Sequence, residues 1–126
     1  VRGFQVDGYL FLDPNTTDEK DLLATAVHES LHNQVDALTL IDENGVGRPI
    51  MEMVVEAITV QILEDNGITV EHPTPNYEYF ISNSFLWSHK DELIQAFREE
   101  EGFSAYQRIF GKDYMKVISE VEELNL

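Results

Sequence analysis

Apolar residues recur at intervals of three and four between Lys20 and about Leu38, and this spacing predicts an amphipathic helix. Thr16 and Glu19 stand at capping-box spacing just before it, so we expect the helix to start there. The apolar positions of this segment are Leu23, Ala26, Val27, Leu31, Val35 and Leu38.

A second helix is predicted from Ile50 to about Asp65. Pro49 suits the first residue of a helix because its missing N–H has no partner to lose there. Asn66-Gly67 is a good signal for the end of the helix. The segment between the two helices, Ile41 to Arg48, contains two glycines and predicts a loop.

The apolar and aromatic stretch from Gly8 to Asp13 predicts a strand that begins near Phe4. Further helices are predicted at about Tyr77–Trp87, from Ser88 to near Gly102, at Phe103–Phe110 and at Tyr114–Leu124. The expected fold class is therefore α+β and mainly helical, with a small N-terminal sheet and a C-terminal helical bundle. A chain of 126 residues fits a single domain spanning positions 1–126.

Charge narrows the set of partners. The chain has 24 Asp and Glu against 8 Lys and Arg, a formal net charge of −16. We expect no nucleic-acid partner, because phosphate binding needs basic side chains. No stretch approaches the ~20 apolar residues of a membrane span, so we expect no membrane insertion. An acidic surface attracts cationic partners such as metal ions and basic peptides, although it also serves solubility alone.

The chain has no cysteine, which excludes disulfides and thiolate metal ligands. This composition is compatible with a cytoplasmic or an exported protein. Because the chain starts at Val1 rather than Met, we expect a processed form or a piece of a longer protein.

The first predicted helix carries the motif His28-Glu29-Ser30-Leu31-His32. Residues four apart share one face of a helix, so both imidazoles can reach one ion. Zinc accepts neutral imidazole nitrogen, and Glu29 is placed beside the site to take a proton from water rather than to ligate the metal. This is the His-Glu-x-x-His arrangement of metalloproteases, and it predicts a mononuclear Zn²⁺ site.

A catalytic zinc site usually takes three protein ligands. The extended metzincin pattern is excluded, because Val35 and Leu38 occupy the positions of its Gly and third His. In the second predicted helix Glu52, Glu56 and Thr59 share one face. A carboxylate in an apolar helix needs a partner, and a metal ion is a suitable one.

With these motifs the sequence resembles the gluzincin group of zinc metallopeptidases, over roughly Gly8 to Glu64. That group pairs a His-Glu-x-x-His helix with a Glu from a later helix. Val55-Glu56-Ala57-Ile58-Thr59 is similar to its Glu-small-x-Thr pattern, and the resemblance implies a zincin-like fold with Glu56 as third ligand. Glu52 is the alternative third ligand or a second carboxylate near the site, and Asp36 could orient His32.

The resemblance implies a zinc-dependent peptidase that hydrolyses peptides or protein loops through a metal-activated water, with Glu29 as general base. It also implies a downstream donor to the oxyanion. His72 and His89 are available, but Tyr77 or Tyr79 is favoured for this role. The strand near Tyr9–Leu12 could pair with extended substrate. The alternative is a catalytically inactive zincin-like binding or structural domain.

Overall fold

A computed structural model describes residues 3–6, 9–12, 19–34, 39–71 and 73–124, and the side chains of 22–34, 39–71 and 73–124. Within these ranges two strands are followed by seven α-helices. The elements are β1 (Gly3–Val6), β2 (Tyr9–Leu12), α1 (Glu19–Gln34), α2 (Arg48–Asp65), α3 (Pro75–Ser82), α4 (Ser84–Ser88), α5 (Lys90–Arg98), α6 (Ala105–Phe110), a 3-10 turn (Gly111–Asp113) and α7 (Tyr114–Glu122).

Helix α2 is the centre of the molecule. It contacts α1, α3, α5 and α7. Its long apolar run lets it be buried on several sides at once, as expected for a helix without a wide polar face. The buried residues of α2 are Ile50, Met51, Met53, Val54, Val55, Glu56, Ala57, Ile58, Thr59, Val60 and Leu63.

The start of α2 is held by Gly47. Its φ of 97° is left-handed, and a Cβ placed on it would lie 2.4 Å from the carbonyl oxygen of Leu40. Only glycine fits this position without strain. The Gly47 N–H donates to Glu122 Oε1 at 2.7 Å, and its carbonyl accepts from the Tyr106 hydroxyl at 3.2 Å. These contacts tie the first turn of α2 to α6 and α7.

The single helix predicted at Tyr77–Trp87 is wrong, because the chain forms α3 and α4 with a break at Asn83. The ψ of Asn83 is 100°, which takes it out of helical conformation. Its side-chain oxygen accepts from the Leu86 N–H at 3.0 Å and so caps α4. Asparagine favours such a cap over a helix interior, since its side chain competes for backbone N–H groups.

The predicted bounds of the two site helices agree with the structure near the site. Helix α1 begins at Glu19 and is described to Gln34, and the predicted extension to Leu38 lies outside the described residues. Helix α2 begins two residues before the predicted Ile50 and ends at Asp65, as expected.

The prediction of an α+β, zincin-like fold with an N-terminal sheet as part of its architecture is wrong, because the fold is helical. The strands β1 and β2 form an antiparallel pair of four residues each, in which Gly3 faces Leu12 and Val6 faces Tyr9. Among the described elements this hairpin contacts α1 and no other helix. Two strands do not make a sheet layer that can stand alone. The buried core is instead assembled from helices and the loop before α2.

Within the described residues, no helix combines the length and apolar character needed to cross a membrane.

Candidate metal centre

Two pairs of polar side chains meet where α1 packs against α2. His28 and His32 lie one turn apart on α1, and Glu52 and Glu56 lie one turn apart on α2. A separation of four residues keeps each pair on one helix face. The contact of α1 with α2 brings the two faces together, so four side chains from distant parts of the sequence form one cluster.

Three of the four groups converge on one point. His28 Nε2 lies 3.1 Å from His32 Nε2 and 3.0 Å from Glu52 Oε2. His32 Nε2 lies 3.4 Å from the same carboxylate oxygen. Two imidazole nitrogens and one carboxylate oxygen therefore form a nearly equilateral triangle.

This triangle fits a zinc ion. Tetrahedral zinc with bonds of ~2.0–2.1 Å separates its ligand atoms by about 3.3–3.4 Å, close to all three distances. Two imidazoles and one carboxylate are also a donor set that suits zinc. The residues that would hold the ion are His28, His32 and Glu52, the group of possible ligands whose donor atoms lie close together in the described part of the chain.

Glu56 lies on the other side of the His28 ring. Its Oε2 is 2.8 Å from His28 Nδ1, whereas Glu52 faces Nε2. A carboxylate can only accept a hydrogen bond, so Nδ1 carries the hydrogen and donates it to Glu56. Nε2 donates in the same way to Glu52 when the ring is protonated, and a bound metal would take the place of that hydrogen. Histidine ligands of metals are commonly oriented by a carboxylate in this way.

The electrostatics of the cluster favour positive charge. Burial alone would lower the pKa of His28, but hydrogen bonds from its ring to Glu52 and Glu56 raise it to about 10. Burial would raise the pKa of Glu52, but its contacts with His28 and His32 lower it to about 2. A site that holds a proton on imidazole this strongly offers a favourable environment for a cation.

The site is partly buried and open on one side. The side chains of His28, His32 and Glu52 are 17%, 24% and 29% exposed, while that of Glu56 is 6% exposed. The deepest member is thus the carboxylate behind His28, and the more exposed members surround the shared point. The three groups around the shared point are therefore accessible to solvent.

Glu29 follows His28 on α1 and is half-buried. One residue along an α-helix corresponds to a rotation of about 100°. The side chain of Glu29 therefore projects to one side of the helix face that carries His28 and His32. Glu29 is absent from the converging group. This position agrees with a residue that does not ligate the metal.

The two tyrosines nominated as oxyanion donors occupy different surroundings. They are two residues apart on α3, so they point to nearly opposite sides of the helix. Burial, followed by the negative charges of Glu64 and Glu56, raises the pKa of Tyr77. The Tyr79 hydroxyl instead accepts a hydrogen bond from Asn83 Nδ2 at 3.0 Å. Of the two tyrosines, Tyr77 is therefore the one whose pKa responds to the charge of Glu56.

The other residues named from the sequence lie elsewhere. His89 packs against the rings of Phe85 and Phe110, which also contact each other, and has its Nδ1 3.3 Å from Glu92. The Thr59 hydroxyl donates to the Val55 carbonyl at 2.8 Å within α2. Asp36 and His72 lie outside the described residues.

The sequence signal for the carboxylate pair was its spacing. Glu52 and Glu56 repeat the four-residue interval of His28 and His32, which predicts two matching helix faces. The resemblance assigned Glu56 as third ligand. The structure brings Glu52 to the shared point and Glu56 to the opposite nitrogen of His28.

Comparisons of the chain with protein-family models, with curated proteins and with solved structures find no match. Function must therefore be inferred from the site itself, because a fold alone does not determine function.

Proposed function

We propose that this protein is a zinc-dependent peptidase that hydrolyses peptides or protein segments. The observation that carries the proposal is the meeting of His28 Nε2, His32 Nε2 and Glu52 Oε2 within 3.0–3.4 Å of one another. Three protein ligands are the usual complement of a catalytic zinc site, whereas a structural site is closed by four.

Zinc, when bound, supplies Lewis acidity and lowers the pKa of water in its coordination sphere. The protein supplies the proton transfers. Glu29 takes a proton from the attacking water on one carboxylate oxygen and delivers it to the nitrogen of the leaving amine. This role explains a carboxylate that lies next to a ligand without belonging to the converging group.

Two other residues assist without holding the ion. Glu56 accepts the hydrogen bond from His28 Nδ1 and keeps the ring in the orientation that directs Nε2 to the shared point. The Tyr77 hydroxyl donates a hydrogen bond to the oxygen of the substrate carbonyl as negative charge develops there. The rise in its pKa keeps Tyr77 protonated, and therefore able to donate, at neutral pH.

Metal content is the first test. Purified protein reconstituted at neutral pH is expected to hold one equivalent of zinc by elemental analysis, and His28→Ala and Glu52→Gln are expected to lose it. His89→Ala and Glu92→Gln are matched controls, since this second His–Glu pair lies outside the cluster. Zinc that is absent, or equally retained in all four variants, would leave His28 as an ion-paired residue and refute the proposal.

Turnover is the second test. Zinc-loaded protein is incubated with a mixed peptide library, and new termini are detected by mass spectrometry. Glu29→Gln is expected to retain its zinc and to lose cleavage. If the wild-type protein holds zinc but cleaves nothing, the alternative of a non-catalytic metal-binding or structural domain is favoured.

A further inference from the structure

Helix α1 contributes little to the apolar core. Of its hydrophobic residues with described side chains, Ala24 alone is in the buried class, and Leu31 packs against the core while partly exposed. Leu23 is 42% exposed. Helix α2, which has a similar length, has eleven buried residues. Because packing of an apolar face supplies most of a helix's stability, the described side chains of α1 provide less of this attachment than those of α2.

Among the described helices, α1 packs against α2 alone. Among the described elements, α1 contacts α2, β1 and β2, and the two strands contact only each other and α1. The hairpin and α1, here called the N-terminal unit, are therefore joined to the rest of the described helices through the α1–α2 interface. The core formed by α2 to α7 is completed by contacts of α2 with α3, α5 and α7, which do not involve this unit.

The polar cluster lies at that interface. His28 and His32 come from α1, whereas Glu52 and Glu56 come from α2. Burying such groups carries a desolvation cost that offsets part of their mutual attraction, so the ion pairs stabilise the interface less than their short distances suggest. A divalent ion bound by both imidazoles and Glu52 would link the two helices directly, and metal binding adds to the stability of the state that holds the ligands together.

We infer that zinc controls the docking of the N-terminal unit: the unit is held on α2 when the ion is bound and detaches locally when it is removed, while the core of α2 to α7 stays folded. The inference rests on the metal centre of the proposed function but does not require catalysis. The chain would then assemble its site only in the presence of the ion. Glu29, on α1, would be brought to the site by the same event.

Hydrogen exchange of the whole chain, followed by mass spectrometry with EDTA and with excess zinc, tests this. Peptides covering α1 and the hairpin are expected to exchange at least tenfold more slowly with zinc, since binding favours the docked state by a factor of 1 + [Zn]/Kd. Peptides covering α5 and α7 are expected to change by less than twofold. Glu52→Gln is expected to abolish the zinc effect on α1, and the control Glu92→Gln to preserve it.

Several outcomes would overturn the inference. If the protein binds one zinc and α1 is equally protected with EDTA, docking does not depend on the ion, and the metal centre and the proposed function remain. If EDTA accelerates exchange in α5 and α7 as much as in α1, the ion stabilises the entire domain and no separate unit exists. If elemental analysis finds no bound zinc, the metal centre itself fails, and the inference fails with it.

Discussion

Glu56 and Glu52 contact opposite nitrogens of the same imidazole, with Glu56 Oε2 2.8 Å from His28 Nδ1 and Glu52 Oε2 3.0 Å from His28 Nε2. The relationship separates two carboxylates that the sequence presents as equivalent. One lies where a metal would be, and the other lies behind the ligand. Their substitution should therefore have different consequences.

Glu52→Gln is expected to abolish stoichiometric zinc binding, because a neutral amide replaces the only carboxylate in the converging group. Glu56→Gln is expected to keep one equivalent of zinc with an affinity about 10–100-fold lower, the usual cost of removing a partner that orients a histidine ligand. Competition with a chromophoric chelator measures both constants.

The opposite ranking would restore the assignment of Glu56 as third ligand. Circular dichroism of both variants serves as the control for folding, because Glu56 is buried and its substitution replaces a charged hydrogen-bond acceptor within the helix interface by a neutral amide.

Tyr77→Phe is expected to lower kcat for peptide cleavage by about 100-fold, as for the loss of one oxyanion donor, with little change in KM. Tyr79→Phe is the matched control, because the Tyr79 hydroxyl accepts a hydrogen bond from Asn83. The measurement is the rate of cleavage of one defined peptide by zinc-loaded protein. Equal kcat values in wild type and Tyr77→Phe would exclude this donor.

Local patterns were sufficient to predict the helices that carry the site. The pairing of His28 with His32 depends only on helical spacing, so it could be read directly from the sequence. The choice between Glu52 and Glu56 could not, because it depends on how α2 is rotated and shifted against α1. That geometry is set by the packing of α2 against three further helices.

The errors in the fold have the same origin. The apolar stretch from Gly8 to Asp13 predicted one strand beginning near Phe4, whereas the described residues form two strands, β1 and β2, that pair with each other. Nothing local shows whether a strand joins a larger sheet or pairs with one neighbour. The break at Asn83 does have a signal in the sequence, since Asn followed by Ser inside an apolar stretch is typical of a helix cap. Sequence patterns thus predicted elements better than their partners.

Gly47→Ala is expected to destabilise the protein by about 3 kcal/mol or more, because the new Cβ combines a left-handed φ with a collision against backbone. Its nearest atom would be the Leu40 carbonyl oxygen at 2.4 Å. Gly45→Ala is the control, since Gly45 also has a positive φ of 83° but no atom within 4 Å of an added Cβ. The control is expected to lose only about 1 kcal/mol. Urea denaturation of both variants measures the difference, and similar losses would show that the close approach at Gly47 is readily relieved.

Tyr106 predicts how the stability of the core depends on alkaline pH. Its side chain is fully buried, its hydroxyl donates to the Gly47 carbonyl at 3.2 Å, and burial followed by the negative charge of Glu122 raises its pKa well above the usual value of 10.0. Because the folded-state pKa is raised, the stabilisation is complete below pH 10 and is lost as the pH rises above it, where the unfolded chain ionises and the folded protein does not. The expected loss of stability from this residue is about 1.4 kcal/mol at pH 11.

Tyr106→Phe should be about 1 kcal/mol less stable than wild type at pH 7, through the missing hydrogen bond. The gap should close or reverse by pH 11. Urea denaturation of both proteins from pH 7 to pH 11 measures the difference in their free energies of unfolding, in which the ionisation of all other groups cancels. A difference that stays constant over this range would mean that Tyr106 ionises in the folded protein as readily as in the unfolded chain.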